Sequence, residues 1–210
     1  MAFTLDRVVP WGRSLDEYRR MFALTDADLG KRIFGCADGP ASFNAELTAR
    51  GGSIVSCDPI YEFTADEIRQ RIDATYPQML EQAAQNTEEF VWTAQIPNAD
   101  ALGRHRMAAM DRFLADYEAG RYEGRYVVAN LSALPFSDFA FDLALCSHFL
   151  FLYSEQLSGQ FHVESLRNLM RVATEARIFP LLELGGKPSR HVDEVTMTLR
   201  DDGSELTSKR

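Results

Sequence analysis

Short apolar runs alternate with amphipathic stretches along the chain. Lys31–Ala37, Ser53–Cys57, Tyr126–Asn130, Asp142–His148 and Ala176–Leu184 read as five strands. Between them lie helix-prone segments. Ser14 caps a short helix through about Leu24, with Asp16 and Glu17 favourably placed in its first turn. Pro40 suits the first position of a second helix, which carries Phe43 and Leu47 on one face and ends at Gly51-Gly52. Thr64 to about Gly120 is a long polar, helix-prone region, divided by Pro77 and Pro97 into two or three helices. Two further helices are expected near Leu157–Ala173 and Pro188–Arg200. Strands alternating with helices predict an α/β fold, a doubly wound, mostly parallel sheet. The Thr64–Gly120 region exceeds what one crossover needs and reads as a helical insert after the second strand that caps or lines a site.

The first strand, its turn and the second strand carry the most chemistry. Gly35-Cys36-Ala37-Asp38-Gly39-Pro40 leaves strand one and opens a helix. Glycine at Gly35 and Gly39 lets a ligand approach the backbone closely. Asp58 ends the second strand about twenty residues on, where an acid takes the ribose hydroxyls in dinucleotide-binding folds. The spacing is G-x-x-x-G, not the G-x-G-x-x-G that holds a pyrophosphate on a helix N-terminus, and Asp38 would repel phosphate. An adenosine ligand without phosphates fits better.

Here the chain resembles the class I S-adenosylmethionine-dependent methyltransferases, which have a Rossmann-like fold. Lys31–Pro59 is similar to that family's glycine-rich first motif and acidic second motif. Val128–Cys146 (VANLSALPFSDFAFDLALC) is similar to its later segment. The resemblance implies that Gly35, Cys36, Ala37, Asp38 and Gly39 pass the methionine part, and that Asp58 with Pro59 meets the ribose. It also implies that Asn130 and the Leu131 backbone meet the adenine, and that Ser147 and His148 lie below the sulfonium. The chain departs from the family in having Gly35 where an acid usually begins the first motif, Ala37 and Ala41 where glycines stand, and Asn130 where Asp is common. Asp38, or Arg13 and Tyr18 from the N-terminal segment, would then substitute at the methionine amino group. The family's closing antiparallel strands have no counterpart in Ser204–Arg210, which implies a shortened C-terminal end and an oligomer formed across the Arg177–Leu184 edge.

Methyl transfer needs chiefly alignment in a dry pocket. His148 is the candidate general base, with a plain core or rim histidine as the alternative. Tyr61, Trp92 and Tyr153 are candidate walls of an acceptor pocket. Trp11 and Arg13 form either a lid or a capping turn. Composition narrows the function further. The 210 residues carry 22 basic and 31 acidic side chains, a net charge of -9, which disfavours a phosphate-backbone binder. One domain with its insert is expected. Asp6, Arg7, Arg13, Asp16, Glu17, Arg19 and Arg20 leave no apolar leader core, and no apolar run approaches a membrane span, so a cytoplasmic protein is expected. Cys36, Cys57 and Cys146 read as small buried hydrophobes in strands. The four histidines have no metal-ligand spacing, so no metal is expected. The sequence thus implies a methyltransferase acting on a small-molecule acceptor. The alternative is a non-catalytic S-adenosylmethionine-binding or protein-interaction module of the same fold.

Overall fold

A computed structural model describes residues 9–207. Asp6 and Arg7, and the tail residues Ser208–Arg210, lie outside the described residues. Five strands, β1 (Arg32–Cys36), β2 (Ser53–Cys57), β3 (Tyr126–Val127), β4 (Phe141–Ser147) and β5 (Ala173–Phe179), form one all-parallel sheet in the order β3-β2-β1-β4-β5. The helices are α1 (Leu15–Met21), α2 (Asp26–Leu29), α3 (Phe43–Ala49), α4 (Ala65–Gln85), α5 (Ala99–Tyr122), α6 (Gly159–Val172) and α7 (Val192–Asp201). The sheet is covered on both faces, which is why β1 and β4 are near-continuous apolar runs. Ile33, Ile54, Leu143 and Leu145 pack with Leu15, Tyr18, Phe43 and Leu47 of α1 and α3. Phe34, Ala144 and Cys146 pack with Leu166, Leu169, Val195 and Leu199 of α6 and α7. This is the doubly wound architecture expected. After β3 the chain crosses to the far side of β1, so the order reverses between β1 and β4. Ligands of such sheets bind outside the strand C-termini at that reversal.

Several boundaries differ from expectation for physical reasons. Pro77 lies inside α4 and does not divide it. A proline inside a helix costs about 3 kcal/mol, but Ile68, Ile72, Met79 and Ala83 are buried on either side of it, and this burial outweighs the break. The insert is therefore two long helices, parted by residues 86–98. Pro40 sits in the turn before α3, not at its first position. Only Tyr126–Val127 of the third strand pairs with β2, and Asn130 bridges to Ala133 instead. Strand β5 starts directly after α6 and ends at Phe179, before Pro180, which has no N–H for the ladder. The last helix begins at Val192, not Pro188. A short α2 follows α1, capped by Thr25 and Asp28. All three cysteines are buried free thiols, and Cys36 is in register with Cys57 on one side and Cys146 on the other. Among the described residues no strand follows β5, and no helix is long and apolar enough to cross a membrane.

Candidate functional site

The turn after β1 is sharply folded. Ala37 and Gly39 both have left-handed backbones, with φ of 53° and 51°. The turn sends the Asp38 side chain back beneath β1, where a Cβ on residue 35 would lie 1.8 Å from Asp38 Oδ2. Glycine at 35 therefore makes room for the protein's own carboxylate, not for a ligand. Tyr18 donates its hydroxyl to Asp38 Oδ1 at 2.7 Å, and Ser56 donates to Oδ2 at 2.6 Å. Asn44 Nδ2 supports Ser56 from behind at 3.1 Å. Burial pushes the Asp38 carboxyl up to about 6, against the pull of those two hydroxyls.

Asp58 ends β2 beside this turn. Its Oδ2 accepts from the Gly39 N–H at 2.9 Å and its Oδ1 from the Ile60 N–H at 2.8 Å, capping the single helical turn Pro59–Glu62. Burial lifts Asp58 to about 6 as well. Tyr61 donates to the Gly39 carbonyl at 2.8 Å, so Gly39 is gripped through both its N–H and its C=O.

These groups open on a cavity of about 850 Å³, within the usual range for small-molecule sites. Ala37, Asp38, Gly39, Asp58 and Pro59 line it, as do Asn130, Leu131, Ser147 and His148. Gly35 and Cys36 do not, because both lie beneath the turn inside the sheet. Asn130 reaches the cavity with its Oδ1 already accepting from the backbone N–H and hydroxyl of Ser132. The amide expected to accept from adenine is thus turned to its own loop. Tyr61 is completely buried among Phe113, Tyr117 and Tyr126, and Trp92 stacks behind the lining residue Phe90, so neither lines the cavity directly. Tyr153 does line it.

His148 follows β4 with φ of 52°, its N–H donating to the Phe179 carbonyl at 2.6 Å. Its Nδ1 lies 2.9 Å from Ser147 Oγ. Burial, then the positive charges of Arg13 and Arg106, hold this imidazole well below the ordinary histidine range, so it is neutral near pH 7.

The N-terminal segment is firmly docked. A Cβ at Gly12 would lie 2.0 Å from the Pro40 carbonyl oxygen, and the Ser42 N–H donates to the Arg13 carbonyl at 3.0 Å. Trp11 and Arg13 thereby become part of the lining, while Ser14 forms the expected cap through a capping box with Glu17. The insert supplies another wall, with Thr75, Met79 and Ala83 from α4 and Arg106 from α5.

Sequence reasoning missed the Glu17–Arg106 ion pair. Burial opposes the charge of Glu17, but Arg106 beside it brings its carboxyl down to about 2. A signal was present: Arg106 falls on the buried stripe of α5 with Leu102, Ala109, Met110 and Phe113, a place where arginine needs a partner. Among the described residues no group of three or more His, Cys, Asp or Glu side chains is arranged to hold a metal ion.

No protein-family model matches the chain. It is similar to the uncharacterized protein MJ0045 of Methanocaldococcus jannaschii, with 33% identity over 185 residues, which span 88% of this chain and 82% of that protein. The chain therefore belongs to the same family as this archaeal protein.

Proposed function

We propose that the cavity binds S-adenosylmethionine and that the protein transfers its methyl group to a small-molecule acceptor. One observation carries the reading. The glycine turn after β1 and the acid that ends β2 open side by side into one cavity at the reversal of strand order. Two neighbouring carboxylates at that turn suit a ligand without phosphates and disfavour a pyrophosphate. Asp58 would take the ribose hydroxyls with its remaining lone pairs, a charge-assisted pairing when ionised. The backbone of Leu131 would meet the adenine, with Asn130 beside it, and Ala37–Gly39 would flank the rest of the ligand. When bound, S-adenosylmethionine supplies an electrophilic methyl on a cationic sulfur.

The chain's own residues supply alignment, exclusion of water and a proton acceptor. Phe149, Tyr153 and Met79 give the cavity apolar walls. His148, kept neutral, has one nitrogen turned to Ser147 Oγ. With Nδ1–H donating to that hydroxyl, Nε2 is left to accept a proton from the acceptor. Among the described residues β5 pairs only with β4, and its outer edge supports a dimer or higher oligomer; a clean monomer in sedimentation at micromolar concentration would remove that part.

The test is the melting temperature of the full chain with saturating S-adenosylhomocysteine, and with NAD as control. A ligand at one hundred times its Kd adds about 2.7 kcal/mol, a rise of roughly 5 to 10 °C for a chain of this size. The reading expects that rise with the homocysteine product and none with NAD. No shift at millimolar ligand would overturn it.

A further inference from the structure

Two guanidiniums share one part of the cavity lining, Arg13 from the N-terminal segment and Arg106 from α5. Arg106 is 7% exposed, and its Nε is buried without a hydrogen-bond partner. Glu17 is the one carboxylate ion-paired with either of them among the described residues. That carboxylate is fully used. Its Oε1 accepts from Arg106, and its Oε2 accepts from the Ser14 N–H at 3.0 Å and the Ser14 hydroxyl at 3.2 Å, with His105 Nε2 also at 3.2 Å. Arg13 has no ion pair among the described residues, and its hydrogen bond runs from Nη1 to the Trp11 carbonyl at 3.2 Å. Among the described residues the cluster thus sets two positive charges against one negative charge, in a place largely removed from water. The neighbouring lining groups Tyr18, Tyr153 and the neutral His148 supply no negative charge of their own, and the carboxylate beyond Tyr18, Asp38, is engaged by the Tyr18 and Ser56 hydroxyls.

We propose that Arg13 and Arg106 form an anion subsite inside the cavity, which takes the carboxylate of an organic ligand. A guanidinium is retained in a poorly hydrated wall at a cost that a bound anion offsets. Its planar fork of donors matches a carboxylate in two hydrogen bonds at once. The Arg13 donors that meet no partner among the described residues provide such a fork in the cavity lining. Burial, followed by repulsion from Arg106, lowers Arg13 to about 9, as expected of a cation short of a counter-charge. The subsite goes beyond the adenosine reading and does not depend on it. Its carboxylate has two possible sources, the amino-acid end of the cofactor proposed above or the acceptor.

Acetate and formate are small enough to enter without a shape requirement, and acetamide is an uncharged match. Titrated into the full chain at fixed ionic strength, the two anions should shift the arginine Nε–H resonance of Arg13 saturably in ¹H–¹⁵N spectra. Acetamide should not, and Arg13→Gln should lose the anion response while Arg13→Lys keeps part of it. Arg13→Gln also removes repulsion from Arg106, so the unliganded variant should melt no lower than the parent. Absence of a saturable shift, or the same response at other resonances in Arg13→Gln, overturns the subsite.

A second arm compares S-adenosylhomocysteine with 5′-methylthioadenosine, which lacks the amino-acid end. If the cofactor supplies the carboxylate, the first binds about tenfold to a hundredfold tighter, and Arg13→Gln erases the gap. If the acceptor supplies it, the two bind alike and acetate still shifts Arg13 with either present. Acetate binding with neither adenosine ligand bound leaves the subsite standing and removes the adenosine reading. Adenosine binding without the acetate response does the reverse.

Discussion

At the strand ends, Asp38 and Asp58 have every carboxylate oxygen met by a donor from the protein itself: two hydroxyls for one, two backbone N–H groups for the other. Elsewhere on the same lining, Arg106 is paired with Glu17 and keeps its buried Nε unused, while Arg13 has no ion pair among the described residues. The acidic part is made by the turn after β1, the adjacent strand β2 and Tyr18 of α1. The basic part joins a docked N-terminal segment to a helix 89 residues away. The contrast suggests a division of labour. The strand ends hold a preformed, self-satisfied geometry that a ligand touches with spare lone pairs, and the arginines await a partner.

The strongest way to break the basic part is to remove its one internal counter-charge. Glu17→Gln leaves Arg106 buried and unpaired, so urea unfolding should show a loss of about 3–5 kcal/mol. The acidic part responds instead to pH. Asp38 has its folded pKa raised to about 6, above the ordinary 3.8, so the fold prefers its protonated form. The stability from that preference is complete below pH 4 and lost as pH rises through 6, up to about 3 kcal/mol for this group. Asp38→Asn should reduce the fall in urea midpoint between pH 4 and 7, leaving the part that Asp58, raised in the same way, contributes. Glu17 has the opposite sign. Its pKa is lowered from 4.5 to about 2, so its contribution is present above pH 4.5 and lost as pH falls through 2. A parent protein whose stability rises between pH 4 and 7, with Asp38→Asn rising equally, would contradict the picture at β1.

Smaller effects sharpen the comparison. Gly35→Ala drives a Cβ into the Asp38 carboxylate and should cost about 1–3 kcal/mol, the range of overpacking. Combined with Asp38→Ala, the loss should fall short of the sum of the two singles, because both break the same contact. His148→Asn retains a residue type that tolerates the left-handed backbone but loses the ring contact with Phe179, and should cost about 1 kcal/mol of unfolding stability. If His148 accepts the proton, that variant should lose methyl transfer without losing cofactor affinity.

The same contrast explains what the sequence made legible. Alternation of apolar runs and amphipathic stretches revealed the five strands and the doubly wound sheet, since local burial periodicity dictates both. The Gly39 turn and Asp58 were legible because each closes a strand, where side-chain chemistry is confined to a few positions. Gly35 was misread because the 1.8 Å approach that demands glycine comes from Asp38, three residues on, and not from outside. Pro77 was misread because tertiary burial of Ile72 and Met79 overrides a local helix breaker. The Glu17–Arg106 pair was missed because it couples α1 to α5. Only the phase of Arg106 on its helix hinted that this arginine points inward.

The most direct test of the central claim is calorimetric titration of S-adenosylhomocysteine into the parent chain and into Asp58→Asn. The account predicts one saturable site in the parent. It also predicts affinity weaker by about tenfold or more in the variant, from the loss of a charge-assisted pairing with the ribose. No binding at millimolar ligand, or equal affinity in the two proteins, would contradict the assignment of the strand-end cavity to an adenosine ligand.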